Sequence, residues 1–313
     1  LWTAGPLLER IDWTGPTGEP LSVAMVQGNI AQELKWEPGQ LEAILDTYVA
    51  MSEPLWGTEL VVWPEAAVPA YLDLVVDRLA PLAARAVQSG STLLLGIPTR
   101  DANEAKRRGF DAFNSIAVIG ADSGLYHKRR LVPFGEYVPR REAWPPVLGR
   151  WGVPEEDYAP GREWPPVPLG DAKAGVLVCS ESMFPELAAK RVRQGANLLA
   201  VASNDSYFKR TPGAGQIARQ SILRAVETRR SVARAAETGY SMMIDPRGRV
   251  LSESRLYERT VVSARLPLTN AETVYSRTAG WWPPIIAALT ALASAAASWR
   301  RRGGSSAPSD RPS

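Results

Sequence analysis

The chain predicts a mixed α/β domain in which helices are layered on sheet. Apolar runs of strand length alternate with helix-length amphipathic segments through the first half. In the second half the runs fall in hairpin-like pairs around turn signals. No repeat of solenoid length breaks the pattern, so residues 21–270 read as one layered unit.

Residues 1–20 are rich in Gly, Pro and Trp without periodicity and read as a linker. The first strand is Ser22 to Gln27, ending at Gly28-Asn29. Leu41, Ile44, Leu45, Tyr48 and Val49 recur at helical spacing. A strand at 59–63 is followed by a helix from about 70 to 89, which Pro81 is expected to interrupt. Thr92–Ile97 and Phe113–Ile119 are further strands, the latter ending at a Gly/Asp/Ser turn cluster. Residues 131–168 are dense in Pro, Trp and Gly. A stretch this long inside a compact domain points to a functional loop. Ala174–Val178 is a strand, and Pro185 and Gly195 bracket a helix. The strand Asn197–Ala202 and a helix over about 214–230 follow. Val232–Ala235 and Tyr240–Ile244 are strands, and Asp245-Pro246-Arg247-Gly248 turns the latter into Val250. Val261–Leu266 completes the set.

The tail has a different character. Residues 279–299 carry no charge, with Trp281 and Trp282 at one end, Trp299 at the other, and Arg300 to Arg302 beyond. Aromatic residues at both ends and a basic cluster after one predict a membrane span, leaving 300–313 as a basic, disordered cytoplasmic tail. If Pro283-Pro284 cap the helix, about 15 residues remain, or roughly 22 Å against a ~30 Å hydrocarbon core.

Composition narrows the chemistry. The 313 residues are 45% hydrophobic, ample for a core, and the net charge of +3 gives no argument for a nucleic-acid partner. The single cysteine, Cys179, excludes an intrachain disulfide framework. With one histidine, His127, there is no His/Cys set for zinc, and no Gly-x-Ser-x-Gly elbow is present. Gly213 to Ala218 matches the dinucleotide fingerprint in letters but follows Lys-Arg-Thr-Pro rather than a strand. The chemistry therefore falls to Cys, Lys and carboxylates.

Three such groups sit at strand ends: Glu65 after Leu60–Trp63, Lys128 after Tyr126-His127, and Cys179 after Val178. Acyl transfer through cysteine needs a base for the thiol proton, a cation for the carbonyl oxyanion, and a dry pocket. Glu65 suits the base and Lys128 the cation, while the N–H of Ser180 can supply a second oxyanion donor. A strand exit with a helix behind it is expected to favour the Cys179 thiolate. Glu136 and Glu181 could each hold Lys128 charged or relay a proton. His127, among basic neighbours, reads as a bystander.

Trp63-Pro64-Glu65, Lys128 and Cys179 resemble the Glu-Lys-Cys triad of the nitrilase (carbon-nitrogen hydrolase) superfamily. Val26 to Ile30, Leu34-Lys35-Trp36, Tyr126 to Pro139 and Asn204 to Phe208 resemble, within it, the apolipoprotein N-acyltransferase family. That resemblance implies an α-β-β-α sandwich facing the periplasm, anchored in the bacterial inner membrane by a C-terminal transmembrane helix, with no metal or organic cofactor. It makes residues 1–20 the linker from an N-terminal membrane region. It implies that Cys179 accepts an acyl chain from a phospholipid and passes it to the amine of a lipoprotein's diacylglyceryl-cysteine. Glu65 is then the base, Lys128 the oxyanion cation and Glu136 an auxiliary glutamate. Ser180 and Glu181 support the nucleophile, and Trp36, Asn114 and Tyr207 are substrate-binding. Trp36, Trp144, Trp151 and Tyr158 are expected to form an apolar entrance. The chain departs from the family pattern at Ser180, Ile217 and Ala279-Gly280. A soluble amidase of the same superfamily, with water as acceptor, is the alternative.

Overall fold

The structure, a computed structural model, describes residues 15–100, 112–144 and 157–303. Its described strands form two six-stranded sheets. The first holds β1 (Leu21–Gln27), β2 (Leu60–Val62), β3 (Thr92–Thr99), β4 (Phe113–Ile119), β5 (Gly124–His127) and β12 (Thr260–Leu266) in the order β12-β1-β2-β3-β4-β5. The second holds β6 (Val167–Leu169), β7 (Ala172–Val178), β8 (Leu198–Ser203), β9 (Ser231–Ala236), β10 (Met242–Ile244) and β11 (Val250–Glu253) in the order β11-β10-β9-β8-β7-β6. In each, three parallel strands (β1-β2-β3 and β7-β8-β9) are flanked on both sides by antiparallel ones.

The side-chain period of two decides what each sheet buries. Met25, Leu60, Val62, Leu94 and Ile116 face the second sheet, which answers with Ala174, Val176, Ala200, Ala202, Ala233 and Ala235. Large residues on one inner face meet small ones on the other, so the two sheets interdigitate into a single core. The alternate residues Val61, Trp63, Leu93, Leu95 and Ile97 pack under α1 (Leu41–Ser52) and α2 (Leu72–Ser89). Leu177, Leu199, Val201 and Val232 pack under α3 (Pro185–Arg193) and α4 (Gly213–Thr228). The layering is therefore α-β-β-α. It is two sheets, where periodicity alone predicts one.

Two helices differ from expectation. Pro81 does not interrupt α2, which runs unbroken from Leu72 to Ser89. Pro81 and Asp77, whose carbonyl loses its donor, both lie on the exposed face, where water replaces the lost bond. At the C-terminus, α5 (Val274–Thr278) is tied to the domain by Thr273 Oγ1, which donates to the carbonyl of Glu227 at 2.6 Å. The last helix, α6 (Trp282–Gly303), has 22 residues rather than about 15. It starts ahead of both prolines, which fit in a first turn, and runs on through the arginines. Its described side chains are exposed throughout, including Ile286 at 59% and Leu292 at 67%, so α6 is not packed on the domain. Among the described residues no helix is long and apolar enough to cross a membrane.

Gly96, in β3, connects fold to site. A Cβ there would lie 2.1 Å from the Pro64 carbonyl oxygen and 2.6 Å from the Glu65 Cα. Only glycine lets β3 pass so close beneath the Glu65 loop. Gly96→Ala is expected to destabilise the chain by about 1–3 kcal/mol, read as a lowered urea midpoint. It should also displace Glu65.

Candidate active site

The strand exits of both sheets converge on one cavity of about 410 Å³, lined by Glu65, Asn114, Lys128, Glu136, Cys179, Ser180 and Asn204 among others. Glu65 follows β2, Lys128 follows β5 and Cys179 follows β7. Glu65, Lys128 and Glu136 are all buried. Lys128 Nζ lies 3.1 Å from Glu65 Oε1 and 2.9 Å from Glu136 Oε1. Asn114, on β4, donates Nδ2 to the same two oxygens at 2.7 and 2.6 Å. The outer oxygens are held by main chain. The N–H of Asn204 donates to Glu65 Oε2 at 2.9 Å, and that of Val132 to Glu136 Oε2 at 2.7 Å.

The electrostatics follow from this packing. Burial pushes the Glu65 carboxyl up, but the Lys128 charge and the donors from Asn114, Asn204 and Lys128 outweigh it and hold the group below its usual range. Burial alone would lower the Lys128 pKa. The Glu65 and Glu136 charges reverse that, so Lys128 is raised and stays an ammonium. The Cys179 thiol is pushed up to about 12 by burial and by the Glu65 charge, with Lys128 opposing. This corrects the expected thiolate. A 3-10 turn, Cys179–Met183, follows the sulfur, and the next α-helix along the chain begins only at Pro185, so the thiol does not sit in the first turn of an α-helix. Cys179 thus rests as a neutral thiol in the same cavity as the ionised Glu65 carboxylate.

Backbone shape presents these groups. Cys179 has φ +46° and Ala66, next to Glu65, has φ +50°, both in the left-handed region. Two such non-glycine residues flanking one cavity are the kind of strain that functional sites retain.

The remaining predicted residues are placed as follows. Glu181 is buried but does not meet the Lys128 ammonium. Its carboxylate accepts from the N–H groups of Arg129 (2.8 Å), Arg130 (3.2 Å) and Val178 (2.8 Å) and from Tyr126 Oη (2.7 Å). It joins the exits of β5 and β7 and is a support, not a relay. Ser180 lines the cavity, and its Oγ is buried without a protein partner. Asn114 lines it too, but its amide nitrogen is committed to the two carboxylates. Trp36, Tyr158 and Tyr207 are on the wall. Trp144 is not among the lining residues. It packs edge-on against Phe134 on the surface, at 5.5 Å between ring centres. Trp151 lies outside the described residues. His127 stacks on Phe113 at 4.4 Å and hydrogen-bonds Ser115 Oγ at 2.7 Å, away from the cavity, as a bystander should. Gly213 opens α4 with no strand before it.

Sequence reasoning missed the Asn204 N–H, a main-chain donor that no side chain advertises, and the wall residues Met183 and Phe208.

The carbon-nitrogen hydrolase profile matches residues 22–275. The chain belongs to the carbon-nitrogen hydrolase family. Its sandwich resembles the carbon-nitrogen hydrolase of Helicobacter pylori G27, with TM-score 0.58 and 16% identity over 80% of this chain and 89% of that one. It also resembles an amidase from Nesterenkonia sp., with TM-score 0.55 and 22% identity over 80% and 92%. At these identities the likeness concerns the fold. In sequence, the chain is 35% identical over 282 residues to the apolipoprotein N-acyltransferase of Pseudomonas aeruginosa (strain LESB58), covering 90% of this chain and 54% of the relative. It is 33% identical over 275 residues to that of Methylococcus capsulatus, covering 87% and 53%. The chain thus spans about half the length of the curated relatives it matches.

The electrostatics of this carbon-nitrogen hydrolase site give a signed prediction. Glu65 raises the thiol pKa, so Glu65→Gln should lower it, and iodoacetamide should alkylate Cys179 faster at pH 8 than in the parent chain. Lys128→Met should do the opposite. The rate–pH profile of single-site alkylation checks both. A slower Glu65→Gln variant would contradict the assigned charge coupling.

Proposed function

We propose that this chain is the catalytic portion of a membrane-bound N-acyltransferase. It would move a fatty acyl chain from a phospholipid, through a thioester on Cys179, to the N-terminal amine of diacylglyceryl-cysteine on a bacterial lipoprotein. The observation that carries the reading is the cavity itself. Glu65, Lys128 and Cys179 share it with a wall that includes Trp36, Val132, Met183, Phe208 and Ile217, a surface suited to an alkyl chain. The P. aeruginosa and M. capsulatus relatives, named apolipoprotein N-acyltransferase, support it.

In the first half-reaction the thiol proton passes to a Glu65 oxygen as sulfur bonds to the ester carbonyl carbon. With a resting thiol near 12, proton transfer and attack proceed together rather than from a preformed thiolate. Lys128 and the Ser180 N–H meet the oxyanion. Collapse breaks the ester C–O bond, the lysolipid oxygen takes the proton from Glu65, and the thioester remains. The acceptor amine then adds to the thioester carbon and loses a proton to Glu65. The C–S bond breaks as the amide forms, and the proton returns to sulfur. Glu136 and Asn114 hold Glu65 and Lys128 in register throughout.

The uncharged stretch of α6 from Trp282 to Trp299, whose described side chains are exposed, would be the membrane contact, with the domain on the periplasmic side of the inner membrane and Arg300 to Arg302 in the cytoplasm. The weak apolarity of this Ala-rich helix is consistent with neighbours in the bilayer sharing its burial.

Incubation of the full-length protein with phospholipid should add one fatty-acyl mass to Cys179, labile to neutral hydroxylamine and absent in Cys179→Ser. Lys128→Met should slow loading by about 10²–10³-fold, the size of one lost oxyanion donor. Acylation of Cys179→Ser at the parent level would refute the thioester. For topology, a reporter fused after Ser313 should be active only in the cytoplasm, and carbonate should not wash the chain from membranes.

A further inference from the structure

Outside the reacting groups, the described structure fully buries two further cation–carboxylate pairs, Arg234–Asp205 between β9 and the turn after β8, and Lys35–Glu237 between the turn before α1 and the end of β9. Lys35 and Glu237 lie 2.6 Å apart, and both side chains are fully excluded from solvent. Glu237 directly follows β9. Its Oε1 accepts from Tyr48 Oη at 2.8 Å and from the Ile30 N–H at 3.1 Å, and its carbonyl accepts the Asn29 N–H at 3.0 Å. Lys35 closes the single helical turn Gln32–Lys35 and stands next to Trp36 on the cavity wall.

A fully buried ion pair is a poor route to stability, because desolvation offsets its attraction, so its use is in specifying a geometry. The geometry here is a closed ring. From the turn, Gln32 Oε1 accepts Asn204 Nδ2 at 3.0 Å, while the Asn204 N–H holds Glu65 Oε2 at 2.9 Å. The Glu237 N–H in turn donates to the carbonyl of Ser203, the residue before Asn204. The pair thus clamps the turn to the exits of β8 and β9, and the turn carries both a wall of the cavity and a brace for the residue that orients the base.

We propose that Lys35 and Glu237 are positioning residues that set the Trp36 wall and, through Gln32 and Asn204, the seat of Glu65. The consequence for acyl-chain entry rests on the acyltransferase reading above. The test uses the full-length protein in detergent micelles and two thiol reagents, methyl and dodecyl methanethiosulfonate, whose labelling of Cys179 requires no turnover. In Lys35→Met, amides 29–36 should lose hydrogen-exchange protection while β1 and β8 keep theirs. The dodecyl-to-methyl labelling ratio should fall about fivefold, the size of one lost contact. Gln32→Ala, a half-buried position outside the pair, should lower the ratio without moving the thermal midpoint, and it keeps the test open if Lys35→Met fails to fold. An unchanged ratio in the folded variants, or equal falls with both reagents, would overturn the proposal. A parent protein with no preference for the dodecyl reagent would instead count against the acyl pocket. The exchange pattern would then still decide whether the pair holds the turn.

Discussion

The site depends on one ammonium held between two carboxylates. Glu65 Oε1 and Glu136 Oε1 both lie within hydrogen-bond distance of Lys128 Nζ, and all three side chains are buried. Two carboxylates this near one another cannot share a dry site without a cation, because one would take up a proton. With Lys128 in place, Glu65 remains ionised despite its burial and so remains a base. The arrangement needs two strand exits of the first sheet, those of β2 and β5, and the loop after β5 that carries Glu136 to arrive together. That requirement accounts for the bare Cα of Gly96 beneath Glu65, the amide of Asn114 across both acids, and the main-chain donors of Asn204 and Val132 behind them.

Burial, and after it the charge of Glu65, explain why the Cys179 thiol rests protonated. A net-negative neighbourhood is unfavourable to a thiolate, and one ammonium shared with two acids has little left to offer sulfur. A protonated thiol is also chemically quiet. It resists adventitious oxidation and alkylation, which both run through the thiolate.

Much of this was legible in the chain. Strands were readable because their apolar runs are bounded by turn residues, and Glu65, Lys128 and Cys179 because each follows such a run directly. Whether those runs make one sheet or two was not. The cue is a size contrast between distant inner faces, Met25 and Leu60 against Ala200 and Ala233, which no local window contains. The Cys179 proton was misread for a related reason. A strand end and a nearby helix are visible in sequence, while the depth of burial and the direction of neighbouring charge are tertiary facts. Pro81 misled because its cost depends on whether the orphaned carbonyl can reach water, and here it can. Glu181, two residues after Cys179 and rich in chemistry by residue type, is bound almost entirely to backbone.

That last contact separates architecture from reactivity. One carboxylate collects three backbone donors and a tyrosine hydroxyl, and so locates the main chain on either side of Lys128 and Cys179 without touching either reactive atom. The reactive side chains are passengers on a frame that Glu181 closes. Ser180, whose Oγ has no protein partner, can therefore be replaced without disturbing that frame. A frame of this kind is one physical reason a single sandwich can host hydrolysis in some relatives and transfer in others.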